Sequence, residues 1–588
     1  MSNLTDLALP AAQTEKMVGH RRYRARWRQF DLRCFSLCVG GLLTVLLSGS
    51  RADAQAVPGA GLILQQDRPT KPLVPSSADT GVTFKLEGGA EMPDSPPFLV
   101  KTIQVTGNTV YDSSTLHAMV AEAEGETLTL PQLAKFVNRI TDYYHHQGYL
   151  LARAVIPAQI IEGGVVHVTV IEARYGKIKL DNRSKVSDSL LEDTLSPIQS
   201  DEIVTESQLN HALLLASDIP GIAANATLSP GELDGTTDVH VQAVSTPAVT
   251  GNAALDNDGN RYTGRTRIGA TANFIGPLHH GDVLSVAALT SGADMNYASL
   301  SYDTLLNGMG VRMGGSLSAL HYTLGDTLAA LDGHGIALEK SVWVKVPLAR
   351  GQDFNLYGQV QFDQKQLDDE IDATSLHTDR HLQNRGVTLT GDLRDSLFSG
   401  GTNTWSINWT EGRVVFDDAA AKAADFVTAK TQGRFVKWDW NLARMQTLGP
   451  GDALYLALGG QSAKSNLDAS EKMLVGGPYS VRAYDIGALS ADSGSFESIE
   501  YRHSLEQNEN GYWTTVVFLD HEHVTIDRNP WVGGINTANL TGAGVGINWN
   551  GPDHWVAKAY IATPIGAVPA LVGTGKSAWV WVDVNKGF

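Results

Sequence analysis

From about residue 246 to the C-terminus, apolar and polar positions alternate one for one. Ile268, Ala270, Ala272 and Phe274 alternate with Arg267, Gly269, Thr271 and Asn273. Phe354, Leu356, Val360 and Phe362 alternate with Asn355, Tyr357, Gln359 and Gln361, and Trp405, Ile407 and Trp409 with Ser406 and Asn408. A period of two puts successive side chains on opposite faces of a strand. One face is apolar and often aromatic, the other polar and sometimes charged. In a soluble sandwich the apolar face points to a core; in a membrane barrel it meets lipid and the polar face lines a wet lumen. Length favours the barrel. The stretch divides into about sixteen units of roughly 21 residues, each long enough for a spanning strand of about 9–11 residues and a turn. The chain also ends in a strand, Trp579 to Phe588, with an aromatic last residue. The pattern therefore predicts a transmembrane antiparallel β-barrel of about 16 strands over residues 246–588.

Between residues 98 and 245 the period changes. Phe98 to Val105 reads as a strand ended by Gly107-Asn108. Leu116, Met119 and Val120 share one helical face; Leu133, Phe136, Val137, Ile140 and Tyr144 follow at spacings of three and four, and Gly148 is a helix stop. Ala154–Pro157 and Val165–Val170 are strands joined at Glu162-Gly163-Gly164. The order then repeats through Ile178–Leu180, Leu190-Leu191, Leu209, Leu213, Leu214 and Val239–Ala243. Two β-α-α-β-β copies, 98–173 and 174–245, form an internal repeat.

Upstream, prolines accumulate at Pro69, Pro72, Pro75, Pro93, Pro96 and Pro97, which predicts an extended, poorly packed linker over 71–97. Ala60, Leu62, Ile63 and Leu64 before it mark a short helix within 55–70. Residues 1–54 have the order of a secretory signal peptide: Arg21, Arg22, Arg24, Arg26, Arg28 and Arg33, then an apolar run from Phe35 to Leu47, then Ala52-Asp53-Ala54. That run is well short of the roughly 20 residues that span a bilayer. With no later apolar helix of spanning length, a membrane reading requires a closed barrel, which satisfies its backbone in lipid.

Composition narrows the chemistry. The net charge of −18 gives no ground for nucleic-acid binding, which needs clustered cations. The chain has two cysteines, Cys34 and Cys38, both inside the signal. The exported chain is then without thiols, which removes disulfides, cysteine metal sites and cysteine catalysis. His521-Glu522-His523 sets two histidines on one side of a strand, but no third ligand is indicated nearby, so lumenal or loop histidines are the simpler account. Tyr143-Tyr144-His145-His146 ends a helix, where packing and a favourable dipole explain it. Gly251, Gly259 and Gly264 precede no helix and make no phosphate loop. No catalytic constellation, cofactor site or metal site is indicated.

The two repeats resemble POTRA domains, and two of them before a barrel resemble the TpsB transporters of two-partner secretion, the haemolysin and filamentous-haemagglutinin secretion/activation proteins. Asp256-Asn257-Asp258-Gly259, Tyr262-Thr263-Gly264 and Gly281-Asp282 are similar to the family's first barrel hairpin. Val481-Arg482-Ala483-Tyr484 resembles the VRGY motif of the sixth extracellular loop, continued by Asp485, Leu489 and Gly494. Glu500 stands where the family has an acidic strand residue, Asp520 where it has an inner-wall x-D-x-G motif, and Gly542, Gly544 and Gly546 match its penultimate strand. Three positions depart: Ala483 for the loop glycine, Glu522 for the x-D-x-G glycine, and Lys586, which breaks the apolar parity of Val580, Val582, Val584 and Phe588.

The resemblance implies an outer-membrane transporter with periplasmic POTRA domains. It would take a large unfolded exoprotein of adhesin or haemolysin type, and would be inserted among outer-membrane lipid by the barrel-assembly machinery. The loop is implied to latch through Arg482 onto Asp520 of the wall. The groove beside Leu133, Phe136 and Ile140 of the first POTRA, with its strand edges, is implied to dock the partner. The lumen would be closed by the N-terminal helix near Leu62–Gln66 and by the Arg482 loop. Two alternatives are a barrel assembly factor, which shares POTRA units and the arginine loop but usually has more repeats, and a passive porin, which has no use for receptor domains.

Overall fold

The computed structural model describes residues 57–67, 76, 81–84, 94–279, 281–573 and 575–588. The expected signal, with Cys34 and Cys38, lies outside them, as does most of the expected linker. Sixteen antiparallel strands, from β1 (Val249–Asp256) to β16 (Trp579–Gly587), close into a barrel. Closure is made by β16 on β1, from Asn252↔Gly587 to Asp256↔Asp583. Among the described residues no helix is long and apolar enough to cross a membrane; closure by strands is what leaves no backbone edge facing lipid.

The barrel is apolar outside and charged inside. Ile268 and Val360 stand about three-fifths exposed on the outer face, while Lys365, Asp520 and Glu522 are buried within. The period-two pattern places them so, since Val360 and Lys365 lie on one strand with opposite parity. The strands outrun the expected spanning length: β6 (Gly333–Arg350), β7 (Phe354–Ile371) and β8 (Leu376–Asp395) hold 18, 18 and 20 residues. Their upper outward positions turn polar at Gln364, Gln366 and Asp368, so they stand above the lipid. Lys586, on the outward parity, reaches the Asp553 carbonyl at the turn below β15 (Trp555–Pro564) and lies over the Trp555 ring. Its ammonium thereby leaves the apolar band.

The first α/β unit holds α2 (Ser113–Val120) and α3 (Leu130–His146) on a sheet ordered Thr102–Thr106, Val165–Ile171, Arg153–Val155. The strand expected from Phe98 to Val105 is broken; Phe98-Leu99 pairs instead with Thr127-Leu128. Helix α3 starts at a reciprocal cap between Thr129 and Gln132, with a proline in its first turn. Beneath it, Glu172 is buried and accepts the Thr109 and Val110 N–H groups at 2.8 and 2.9 Å and the Tyr144 hydroxyl at 2.7 Å. Burial alone would raise its pKa, but these donors and the Thr109 hydroxyl hold the carboxyl below its ordinary value.

The second unit carries α4 (Asp188–Leu195) and α5 (Glu206–Ser217). Its sheet has four strands, and the outermost comes from the linker: Val82–Phe84 pairs in parallel with Ile222–Pro230. The linker is therefore not wholly unpacked, as composition had suggested, because a free sheet edge accepts any extended backbone. This unit seats on the barrel through a two-toothed pair from Arg350 to Asp218 (2.7 and 2.9 Å) and from the Gly308 N–H to Asp193 (2.6 Å).

Candidate functional site

Helix α1 (Ala60–Asp67) lies inside the barrel. Ala60, Ile63 and Leu64 are buried against lumenal Tyr262, Tyr322, Leu367 and Leu382. The helix is eight residues, too short to persist alone in water, so tertiary packing holds it. Its first N–H, at Ala60, donates to Asp369 of β7 at 2.6 Å, and Gln65 donates to the Lys472 carbonyl at 2.6 Å. Lys472 belongs to the second lumenal element, the long loop of residues 464–492 between β11 (Asp452–Ala463) and β12 (Ser493–Ser504).

The loop is fixed at three heights. At its tip, Arg482 meets Asp520 of β13 (Tyr512–Thr525) through Nε at 2.8 Å and Nη2 at 2.7 Å, and its own N–H reaches the same carboxylate at 3.2 Å. The expected pair is thus in place, as a fork on one carboxylate. Sequence reasoning missed its second partner. Nη1 pairs with Glu500 of β12 at 2.7 Å, which also takes Arg502 at 2.6 Å. Phe518 lies 3.4 Å under the guanidinium, a cation–π contact, and Trp581 Nε1 donates to the Arg482 carbonyl at 2.7 Å. Parity was the available signal: Ser498, Glu500 and Arg502 share one face of β12, and Ser498 pairs across with Asp520.

Val481, Ala483 and Tyr484 are buried with the tip. Ala483 is outside the left-handed region, so the missing motif glycine costs no backbone strain. Its methyl instead faces Gly542 of β14 (Thr537–Asn550), where a Cβ would come within 2.4 Å. Glu522 is absorbed too, accepting the Ser480 hydroxyl of the loop. His521 and His523 are on the outer face, not the lumenal one, hydrogen-bonded to Thr541 and Asn539 at 2.8 Å each. Their odd parity is opposite to Asp520 and Glu522.

Beside the tip, two sequence motifs meet. Tyr479 donates to Asp258 at 2.9 Å, and Arg265 forks onto Asp485 at 2.8 and 2.7 Å, joining the loop to the first barrel hairpin. At the stem, Glu471 takes Lys365 at 2.5 Å and Asn384 at 2.7 Å, while Asp468 takes Arg380 at 2.7 Å. Arg380 also holds Asp369 at 2.8 Å, the carboxylate that receives the first N–H of α1. Loop stem and helix therefore share one ionic node. A cavity of about 700 Å³ remains in the lumen, bordered by Gln65, Tyr479, Arg482, Lys437 and Asp583.

The expected docking groove is rearranged. Leu133 and Ile140 are fully buried in the first unit's core against Ile103, Val166 and Val168, so they offer no contact surface. An apolar helical stripe facing a sheet is consumed by that sheet. Phe136 is half-buried, with Arg139 over its ring at 4.8 Å.

Residues 235–549 match the model of the haemolysin secretion/activation protein family ShlB/FhaC/HecB, and residues 98–173 match a POTRA domain of ShlB type. The heme/hemopexin transporter protein HuxB of Haemophilus influenzae is 26% identical over 446 residues, 75% of this chain and 79% of that one. The solved structure of CdiB from Escherichia coli superposes with a TM-score of 0.65 at 19% identity, covering 90% of this chain and 96% of that one. BamA from Haemophilus ducreyi lacking POTRA domains 1–3 gives 0.51 at 13%, covering 84% and 100%, a likeness of fold.

Proposed function

The chain belongs to the haemolysin secretion/activation family, and from that premise we propose how this member exports its partner. It is an outer-membrane transporter of two-partner secretion whose POTRA units lie in the periplasm. The observation that carries the mechanism is that α1 and the 464–492 loop lie in one lumen, the loop bound to the wall by buried ion pairs and α1 seated by apolar packing and by the hydrogen bond from Ala60 to Asp369.

The partner is a large exoprotein of adhesin or haemolysin type, arriving unfolded in the periplasm. It docks as an extended strand on the edges of the POTRA sheets, where main-chain bonds supply affinity with little demand on sequence. Phe136 and Arg139 offer a mixed apolar and cationic contact beside the first unit. Engagement then releases α1 and the Arg482 latch, and the chain threads outward past the polar wall. Directionality comes from folding outside the cell. Barrel-assembly machinery inserts the transporter, with the aromatic C-terminal strand as the recognised segment.

The test is co-expression with the partner exoprotein. The chain should fractionate with the outer membrane, and deletion of residues 98–173 should leave an inserted barrel that no longer exports. Normal export by the deleted form would sink the docking role.

A further inference from the structure

We propose that the outward face of β8, β9 (Gly401–Phe416) and β10 (Gly433–Gly449) binds the phosphorylated headgroup of an outer-leaflet glycolipid, lipopolysaccharide, through Arg385, Arg413 and Arg434.

The register defines the patch. Arg413 and Arg434 stand directly opposite each other across the β9–β10 pair. Arg385 of β8 opposes Glu411, so it is the diagonal neighbour of Arg413, about 7–8 Å away. The three arginines share the parity of Val387, Ile407 and Trp438, which are outward and exposed. Their side chains therefore leave the outside of the barrel and do not enter the lumen. Arg413 also opposes Gln383, which opposes Gln364. That row is where β7 turns polar, towards the end away from Arg350 and the seated second POTRA unit. Two outward rows nearer the midplane, Trp409 opposes Trp438. Tryptophans facing out of a barrel mark the level of the lipid headgroups. The arginines begin where the acyl chains end.

The charges on this patch are unspent. Arg380 and Arg482 in the lumen each hold two carboxylates. Arg385, Arg413, Arg434 and Glu411 make no side-chain ion pair or hydrogen bond among the described residues. Three guanidiniums against one carboxylate leave two positive charges unneutralised. Like charges directly opposite on a sheet are destabilising, and nothing in the strand pairing offsets Arg413 against Arg434. An anion between them does. Phosphate suits the place, since two guanidinium forks can each take a pair of its oxygens. The apolar face below decides its source. A lipid with phosphates directly above its acyl chains lays those chains on Val360, Val387 and Trp438 while its phosphate meets the arginines, whereas free phosphate gains nothing from that face.

The test uses the full-length transporter in detergent, freed of glycolipid, with diphosphorylated lipid A added and binding followed by native mass spectrometry. Arg413→Gln with Arg434→Gln should bind lipid A about thirtyfold more weakly than wild type, with barrel integrity checked by the heat-dependent gel shift. Wild type should bind dephosphorylated lipid A as weakly as the variant binds the intact lipid, and excess inorganic phosphate should leave the bound lipid in place. Equal affinity of variant and wild type would overturn the proposal, and so would equal affinity for the dephosphorylated lipid. Displacement by inorganic phosphate at equal concentration would show a plain anion site and overturn the lipid assignment. If the double variant does not fold, Arg434→Glu decides. It gives Arg413 an opposite charge across the strand pair, which favours folding, and it should lose the lipid; binding at wild-type affinity would overturn the proposal.

Discussion

Arg482→Ala removes a buried cation from two carboxylates at once. Asp520 keeps Ser498, whose hydroxyl donates at 2.8 Å, and Glu500 keeps Arg502. Breaking a buried pair from one side costs about 3–5 kcal/mol, because the remaining charge is left uncompensated. At about 1.4 kcal/mol per tenfold, the docked loop should lose roughly two to three and a half orders of magnitude in its favour. Asp520→Ala should cost less, since Arg482 retains Glu500 at 2.7 Å and its contact with Phe518. Removing Asp520 and Glu500 together should match Arg482→Ala. The assay is labelling of a single cysteine placed at Ser480, alongside export of the partner, with barrel insertion checked by the heat-dependent gel shift. Coupling between Arg482 and Asp520 should fall within about 0.5–3 kcal/mol. Strictly additive losses would refute the shared network. A charge swap, Arg482→Asp with Asp520→Arg, should fail to rescue, because the new aspartate would face Glu500.

Three further outcomes follow from neighbouring geometry. Gly542→Ala should push the loop tip off the wall and impair export, and Ala483→Gly should restore it by removing the methyl that the new Cβ meets; absence of rescue would place the defect elsewhere. The Glu172 carboxyl is held below its ordinary value, so its stabilisation is present above about pH 4.5 and is lost as pH falls through the lowered value. Amide exchange at Thr109 and Val110 should accelerate on that descent, and Glu172→Gln should flatten the dependence. Val360→Arg, on the lipid face, should destabilise the barrel by about 2–4 kcal/mol if it lies near the midplane, read as a lower urea midpoint in detergent or lipid.

Faces were legible in the sequence and heights were not. Alternation assigns Val360 outward and Lys365 inward, and the length of the alternating stretch pointed to the barrel and its strand number. It does not say where along β7 the lipid ends, so strands expected at spanning length continue above it. The same limit hid most of the site. Glu471 meets Lys365 across 106 residues of sequence, and Arg265 meets Asp485 across 220. Each residue's face was readable from its neighbours, but which loop comes down to which level of the wall depends on register accumulated over many strands. Arg482 and Asp520 were paired through a family likeness, and that likeness named one carboxylate where the structure uses two.

A lumenal charge looks like a solvated one in sequence, and this is the physical reason the closed state is under-specified by pattern. Lys365 lies between Gln364 and Gln366, Arg380 between Asp379 and His381, and Lys437 between Val436 and Trp438, so no common neighbour pattern sets them apart from surface cations. Within the barrel they are taken up by Glu471, Asp468 and Asp369, carried partly by a loop and partly by the wall. Replacing such pairs by apolar side chains is often neutral or stabilising for a fold, so stability alone gives little reason for them. Their value in a transporter is different. Ion pairs can be exchanged for water when a hydrated chain enters, whereas an apolar plug would have to expose its whole face. The stem of the 464–492 loop, held by charges, can therefore leave the wall without unfolding it, whereas α1 must give up its apolar seat.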